Sequence, residues 1–115
     1  MIKATDVKVR YVRHLHTNHP FAALGLVKNE LTGTYNVSLA ICHKSDQFNK
    51  KVATAIVTGR LLMNLNNKRM NNIFYGQTIE DIITKIEAFF VTKKISRTLE
   101  EQYAILATLK EMGKN

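Results

Sequence analysis

Residues 34–65 have the sequence TYNVSLAICHKSDQFNKKVATAIVTGRLLMNL, and this stretch decides the fold. In residues 34–42, large apolar residues alternate with small or polar ones, a period-2 pattern that predicts a β-strand with two different faces. The large side chains are those of Tyr35, Val37, Leu39 and Ile41, and the small or polar ones are those of Asn36, Ser38, Ala40 and Cys42. We expect the face of small residues to lie under a helix or to line a site.

The second part of this stretch predicts a helix from Asp46 to about Leu65, with an N-cap at Ser45-Asp46. Its apolar residues recur at helical spacing and form two stripes. The first stripe contains Phe48, Val52, Ala55, Ile56, Gly59 and Met63, and the second contains Val57, Leu61 and Leu65. A helix that is apolar on two sides needs a second packing partner. Either the terminal helices or another subunit would provide it.

Two more strands precede this stretch. Residues 6–16 alternate in a way that predicts a half-buried strand with a basic outer face. Pro20 interrupts strand pairing, residues 21–29 predict a second strand, and Thr32-Gly33 forms a turn before the third. A meander of three strands leaves two exposed edges, which is a second indication of self-association.

The rest of the chain predicts helices. Five Asn within residues 64–72 favour an irregular connection through residue 77. Thr78 is the N-cap of the next helix, and Thr98-Leu-Glu-Glu101 is a capping box for the last one. The sequence therefore predicts one α+β domain over residues 1–115, with an N-terminal antiparallel meander of about three strands followed by about three helices.

The positive charge of the chain is unevenly distributed. The net charge is +8, and residues 1–76 hold eleven basic and three acidic residues, whereas residues 77–115 are balanced. This excess favours a polyanion or a phosphate-bearing ligand as partner, or else a basic surface that only aids solubility. No apolar run approaches the roughly 20 residues of a membrane span, and the N-terminus has no signal-peptide pattern. A single cysteine excludes an internal disulfide, so we expect a cytoplasmic protein without a membrane partner.

Patterns typical of catalysis are scarce. His14 and His16 have a spacing that can chelate a metal, but no acid or cysteine lies near them in sequence. Cys42 and His43 are adjacent strand residues and would point to opposite faces. Phosphate-binding loops and a nucleophile elbow are absent from the sequence. We expect a protein that is not an enzyme, with no catalytic residue, no metal and no cofactor.

Residues 42–60 predict an anion-binding site. A strand leads into a helix N-terminus, where free backbone N–H groups and the helix dipole meet Lys44, Lys50 and Lys51. Gly59-Arg60 places a guanidinium beside a residue without a side chain. Glycine in a helix costs roughly 1 kcal/mol relative to alanine, a cost tolerated more readily where something packs or binds closely. The alternative is helix–helix packing at Gly59 with Arg60 solvated.

Other residues suit the parts of a nucleotide. Arginine can pair with phosphate through its planar fork, and Arg10, Arg13 and Arg97 are the other guanidiniums. Phe74 and Tyr75 lie in the predicted loop and are better candidates for stacking on a base than Phe89, whose helical spacing favours the core.

Several of these residues resemble a motif of the first Thoeris anti-defence family of phage proteins. The matching residues are Lys44, Asp46, Phe48, Lys50, Gly59, Arg60 and Leu61, together with Tyr-Val-Arg-His at residues 11–14 and the late helical pair. The resemblance covers about residues 8–110. Members of that family bind cyclised ADP-ribose signals made by bacterial TIR-domain proteins and sequester them without cleavage. Some also bind cyclic oligonucleotides at separate sites, in a hexamer built from dimers.

The resemblance implies roles for individual residues. Arg13 and Arg97 would bind the pyrophosphate of a cyclised ADP-ribose, and Phe74 or Phe89 would stack on its adenine. A second site for cyclic oligonucleotide phosphates would contain Lys44, Lys50 and Arg60. The protein would then act in the host bacterial cytoplasm as a homo-oligomer, either a dimer or a hexamer.

Two other functions are compatible with the sequence. A pI of about 9.8 and the basic first strand fit a small nucleic-acid-binding phage regulator, although no recognised nucleic-acid motif is present, which makes it the lesser candidate. The open strand edges fit a protein-binding inhibitor of a host enzyme.

Overall fold

The computed structural model describes residues 4–42, 47–65, 73–92 and 98–114. These residues form one antiparallel sheet of four strands in the order β1-β2-β3-β4, with helices on both of its faces. After a 3₁₀ turn at Ala4–Asp6, the elements are β1 (Lys8–Arg13), β2 (Pro20–Asn29), β3 (Thr34–Ile41), α1 (Lys50–Leu65), β4 (Ile73–Gly76), α2 (Ile79–Thr92) and α3 (Leu99–Gly113). The α+β class is confirmed, and the sheet has one strand more than expected.

The first three strands form the expected meander. β1 pairs with β2 from Lys8↔Leu26 onward, and β2 pairs with β3 from Ala22↔Ile41 to Asn29↔Thr34. Gly33, at a φ of 71°, lies in the turn between β2 and β3, a left-handed conformation that glycine adopts without a steric penalty. Both faces of β1 contact helices, because Val12 belongs to the core under α2 and α3 whereas Tyr11 packs toward α1, and Arg10 remains exposed. The expectation of a half-buried first strand was therefore wrong at Val12.

The fourth strand lies inside the connection that was expected to be irregular. Ile73 pairs with Ser38, and Gly76 pairs with Tyr35, so β4 covers the outer edge of β3. The asparagines before residue 73 argued against regular structure, but the short β-prone run of Ile73, Phe74 and Tyr75 pairs with an edge that would otherwise stay open. The edges of the sheet are consequently β1 and β4.

The larger core lies between the sheet and the pair α2 and α3. Ile82 and Ile86 of α2 and Ile105 and Leu109 of α3 are fully buried against large side chains of the sheet. From the sheet, this core includes Val12, Phe21, Ala22, Leu24, Leu26, Val37, Leu39 and Phe74. Branched and aromatic side chains thus fill this face.

Within the described residues, the opposite face of the sheet packs against α1, and its centre is built from small residues. Ala23 packs with Ala53 and Val57 of α1, and Ala40 packs against this cluster. At Gly25 a Cβ would lie only 3.1 Å from Leu61 Cδ1 and 3.2 Å from Val57 Cβ. The small face of β3 therefore lies under a helix, which is one of the two roles expected for it, and the missing side chain of Gly25 lets α1 approach closely.

Helix α1 begins at Lys50, later than the sequence analysis predicted. Asn49 is its N-cap, because Asn49 Oδ1 accepts a hydrogen bond from Val52 N at 3.0 Å and Asn49 O accepts one from Ala53 N at 2.9 Å. Ser45 and Asp46 lie outside the described residues. None of the helices in the described part of the chain is long and apolar enough to cross a membrane.

Candidate functional site

A groove of about 560 Å³ opens where β3 ends and α1 begins. Its volume lies within the range typical of small-molecule sites. It is lined by Ala40, Ile41 and Cys42 from the end of β3, by Gln47, Phe48 and Asn49 before the helix, and by Val52, Ala53 and Ile56 of α1. Two of these residues, Ala40 and Ala53, are alanines on facing elements, and their short side chains help to leave this space.

An aromatic and cationic cluster adjoins the groove. The Phe48 ring packs edge-on against Tyr11, with 6.0 Å between ring centroids. Lys50 Nζ lies 5.3 Å from the centroid of the Tyr11 ring, a cation–π contact, and the hydroxyls of Tyr11 and Thr54 share a hydrogen bond of 2.7 Å. Tyr11 thus holds both the ring of Phe48 and the ammonium of Lys50 beside the groove.

The electrostatics of the helix start favour an anion. The N–H groups of the first turn of a helix have no acceptors within the helix, and the dipole is positive there. The first turn of α1 contains no acidic residue, and it contains both Lys50 and Lys51. Of the residues expected to bind phosphate here, Lys50 is the first residue of α1, and Lys44 lies outside the described residues.

Arg60 is bound to the sheet. Its Nη1 donates a hydrogen bond of 3.0 Å to the carbonyl of Leu39, in a half-buried position. A Cβ at Gly59 would meet nothing within 4 Å, so Gly59 is not explained by helix packing within the described chain. The guanidinium has further N–H groups that this single bond does not use.

Arg13 closes the loop between β1 and β2. Its Nη1 donates to the carbonyl of Asn18 at 3.0 Å, and Asn18 has a φ of 62°. Because β1 and β4 are opposite edges of the sheet, Arg13 and Phe74 are separated by three strand spacings, about 14 Å. The expected partners of the pyrophosphate and of the adenine of a cyclised ADP-ribose are therefore on opposite edges of the sheet in one chain. Arg97 lies outside the described residues.

The two phenylalanines expected to stack on a base contact each other. Their rings are edge-to-face with centroids 5.3 Å apart; Phe74 is 8% exposed and Phe89 is half-buried. Strand alternation turns Phe74 into the core, which corrects its placement in a loop. The exposed ring is that of Tyr75, and Lys85 Nζ lies 5.2 Å from its centroid.

The two histidines with chelate spacing face separate carboxylates on α3. His14 Nε2 lies 3.8 Å from Glu101 Oε2, and His16 Nε2 lies 2.8 Å from Glu100 Oε1. Within residues 4–42, 47–65, 73–92 and 98–114, no group of three or more His, Cys, Asp or Glu residues could hold a metal ion. These contacts attach the β1–β2 loop to the start of α3.

An anion-binding site was expected at residues 42–60, and the small face of β3 was expected to lie under a helix or to line a site; Ala40 and Cys42 of that face line the groove. Tyr11 and Phe48 were assigned to a strand face and a helix stripe, and neither was expected to border a site. One sequence feature could have indicated the groove: alanines at residues 40 and 53, with the start of a helix between them. Comparisons of the chain with protein-family models, curated proteins and solved structures found no match.

Proposed function

We propose that this protein binds a cyclic nucleotide signal and sequesters it without cleaving it, as a phage anti-defence protein in the cytoplasm of the host cell. Cyclised ADP-ribose is the first candidate ligand, and cyclic oligonucleotides are the second. The observation that carries the proposal is the groove at the start of α1, where apolar walls and an aromatic ring lie beside two lysines at a helix N-terminus.

Each part of a nucleotide has a matching partner around this groove. Ile41 and Val52 offer apolar surface to a base, and Phe48 offers a ring. Gln47 contributes an amide that can donate and accept hydrogen bonds. Lys50, Lys51 and the first-turn N–H groups other than that of Val52, which donates to Asn49, suit the phosphates. A ligand with a planar base and a phosphate group therefore fits this chemistry better than a purely apolar ligand.

The separation of Arg13 and Phe74 within one chain also determines how a second site that uses both residues would be formed. Because Arg13 and Phe74 lie on opposite edges of the sheet, a pocket that uses both of them would combine side chains from two protomers. The proposed protein is accordingly a homo-oligomer. Sequestration in place of turnover comes from the resemblance to the anti-defence family.

The test is a binding assay with a matched pair of lysine variants. A thermal-shift and calorimetry panel contains cyclised ADP-ribose isomers, cyclic di- and trinucleotides, linear ADP-ribose and a single-stranded DNA 30-mer. A ligand present at 100 times its Kd stabilises by about 2.7 kcal/mol, which moves the Tm of a domain of this size by several degrees. We expect a large shift with one cyclic nucleotide, and we expect it to be recovered unchanged after denaturation.

Lys50→Glu should weaken this binding at least about tenfold, which is 1.4 kcal/mol. Lys28→Glu is the control, because Lys28 is also exposed and makes a similar cation–π contact, 5.5 Å from the ring centroid of Tyr35, away from the groove. Recovery of a hydrolysed ligand would contradict sequestration. An equal loss in both variants would place the site elsewhere.

The same panel separates the other candidate functions. Arg10 is exposed on the edge strand β1, and this favours a nucleic-acid-binding regulator as the second candidate. That function predicts binding only to the DNA 30-mer, with an affinity that falls steeply with salt. A panel without any response would favour an inhibitor that binds a host protein.

A further inference from the structure

The solvent side of α1 is apolar over about three turns. Val52 is 53% exposed, Ile56 is 37% exposed and Met63 is 47% exposed, and Ala55 and Gly59 lie between them. Residues 52–63 contain a single charged residue, Arg60, whose guanidinium is bonded to Leu39 of the sheet. The outward side of a surface helix is normally polar, so an uncharged apolar stripe here indicates a contact surface.

Gly59 points to close approach of another backbone. Glycine weakens the interior of a helix, and, apart from the adjoining backbone of α1 itself, no atom of the described residues lies within 4 Å of the position that its Cβ would occupy. Ala55 lies one turn before Gly59, so the middle of the stripe carries little side-chain volume apart from Ile56. Larger side chains flank this centre at Val52 and Met63. This shape allows a second helix to cross α1 at close distance.

We propose that α1 of one chain packs antiparallel against α1 of a second copy, about a two-fold axis at the level of Ile56 and Gly59. The charges of the helix select this orientation. Lys50 and Lys51 lie at the positive end of α1, whose first turn has no acid and whose last turn has no base. Antiparallel packing places Lys51 of each copy beside the negative C-terminal end of the partner helix, whereas parallel packing places the two Lys51 side chains together.

The positions along the helix agree with such an axis. Lys51 and Met63 are each six residues from position 57, about 9 Å along the helix in opposite directions. A two-fold axis at that level brings Lys51 of one copy beside Met63 of the other. The exposed residues of the stripe are also centred there, so both copies use the same surface.

A second copy fits this stripe better than the remainder of this chain does. The residues outside the described ranges include four apolar side chains, Met1, Ile2, Met70 and Ile95, spread over three segments. This interface would join copies of the chain in the homo-oligomer of the proposed function. It rests on that proposed oligomer and does not depend on nucleotide binding. Val52 and Ile56 also line the groove, so each groove borders the partner copy. The interface is tested without any nucleotide, and failed ligand binding would leave it standing.

The first test is the mass in solution. Sedimentation equilibrium of the wild-type chain should give a dimer or an assembly of dimers at concentrations on the order of 100 µM. Ile56→Glu and Val52→Glu each bring a charge into the interface and should raise the Kd of the dimer at least about tenfold. Val91→Glu is the control, because Val91 is 77% exposed at the end of α2, outside the stripe. A monomeric wild-type chain, or unchanged mass in both α1 variants, would overturn the interface.

The second test is the orientation. Lys51→Cys and Met63→Cys are made separately in a Cys42→Ala chain and treated with a short thiol-reactive linker. We expect a cross-link when the two variants are mixed and much less when either is alone, because antiparallel packing brings position 51 to position 63. Equal cross-linking of each variant with itself would show parallel packing and overturn the proposed geometry.

Discussion

The guanidinium of Arg60 donates a hydrogen bond to the carbonyl of Leu39, 3.0 Å away, and so joins α1 to β3. Leu39 is one residue beyond Ser38, the last residue of β3 that pairs with β4. Arg60 thus lies on the part of β3 that β4 leaves uncovered. A residue expected to bind a phosphate of the ligand has a structural partner in the fold.

Arg60→Ala should therefore reduce stability as well as any ligand binding. Loss of a half-buried hydrogen bond from a charged donor should lower the free energy of unfolding by about 1.5–3 kcal/mol, measured by urea denaturation. Arg60→Lys keeps a donor and should lose less. A fully stable Arg60→Ala chain that loses only nucleotide binding would assign Arg60 to the ligand and not to the sheet.

The two glycines at residues 25 and 59 should respond oppositely to alanine. At Gly25 the new Cβ would lie 3.1 Å from Leu61 Cδ1 and 3.2 Å from Val57 Cβ, so Gly25→Ala should destabilise by about 1–3 kcal/mol through overpacking. At Gly59 the space is open, so Gly59→Ala should stabilise the dissociated chain by up to about 1 kcal/mol.

The comparison is made by chemical denaturation in an Ile56→Glu background, so that association does not contribute. Destabilisation by Gly59→Ala in that background would contradict the open surface of α1.

Ser38 is fully buried under α1, and its Oγ has no hydrogen-bond partner among the described residues. Ser38→Ala removes this unsatisfied group and should raise the free energy of unfolding by about 1 kcal/mol. Thr54→Ala is the control, because its hydroxyl is bonded to Tyr11, and it should lower stability. A loss of stability in Ser38→Ala would reveal a partner for this hydroxyl.

The start of α3 depends on a reciprocal pair of hydrogen bonds. Thr98 Oγ1 accepts from Glu101 N at 3.1 Å, and Glu101 Oε1 accepts from Thr98 N at 3.1 Å. Thr98→Ala should lower the free energy of unfolding by about 1 kcal/mol, whereas Thr98→Ser should be nearly neutral. Equal stability of Thr98→Ala and the wild-type chain in a thermal melt would argue against a role for this cap.

Local signals in the sequence were sufficient for some of these features. The Thr98–Glu101 capping box was predicted and is confirmed, since it involves residues three positions apart. The meander was also predictable, because each strand pairs with the next one along the chain. Both features depend on contacts between residues that are close together in the sequence.

Features that depend on distant contacts were missed. Phe74 is buried because β4 pairs with β3 at Val37, and the β-prone run of residues 73–75 does not by itself indicate which strand it would pair with. The later start of α1 is a separate case with a local cause, because Asn49 is also a favoured N-cap residue. The groove requires Ala40 and Ala53 to face each other across two elements. Such relationships exist only after the helix has packed on the sheet.

The insertion of α1 between β3 and β4 affects how the sheet is completed. Ser38 and Ile73 pair although they are 35 positions apart, whereas the other neighbouring strands are joined by short connections. Closing that long loop is entropically unfavourable, so β4 should join the sheet late in folding and separate from it first. Amide hydrogen exchange should then be faster in residues 73–76 than in β2. The same local opening would release the Phe74 ring from the core while the meander stays intact.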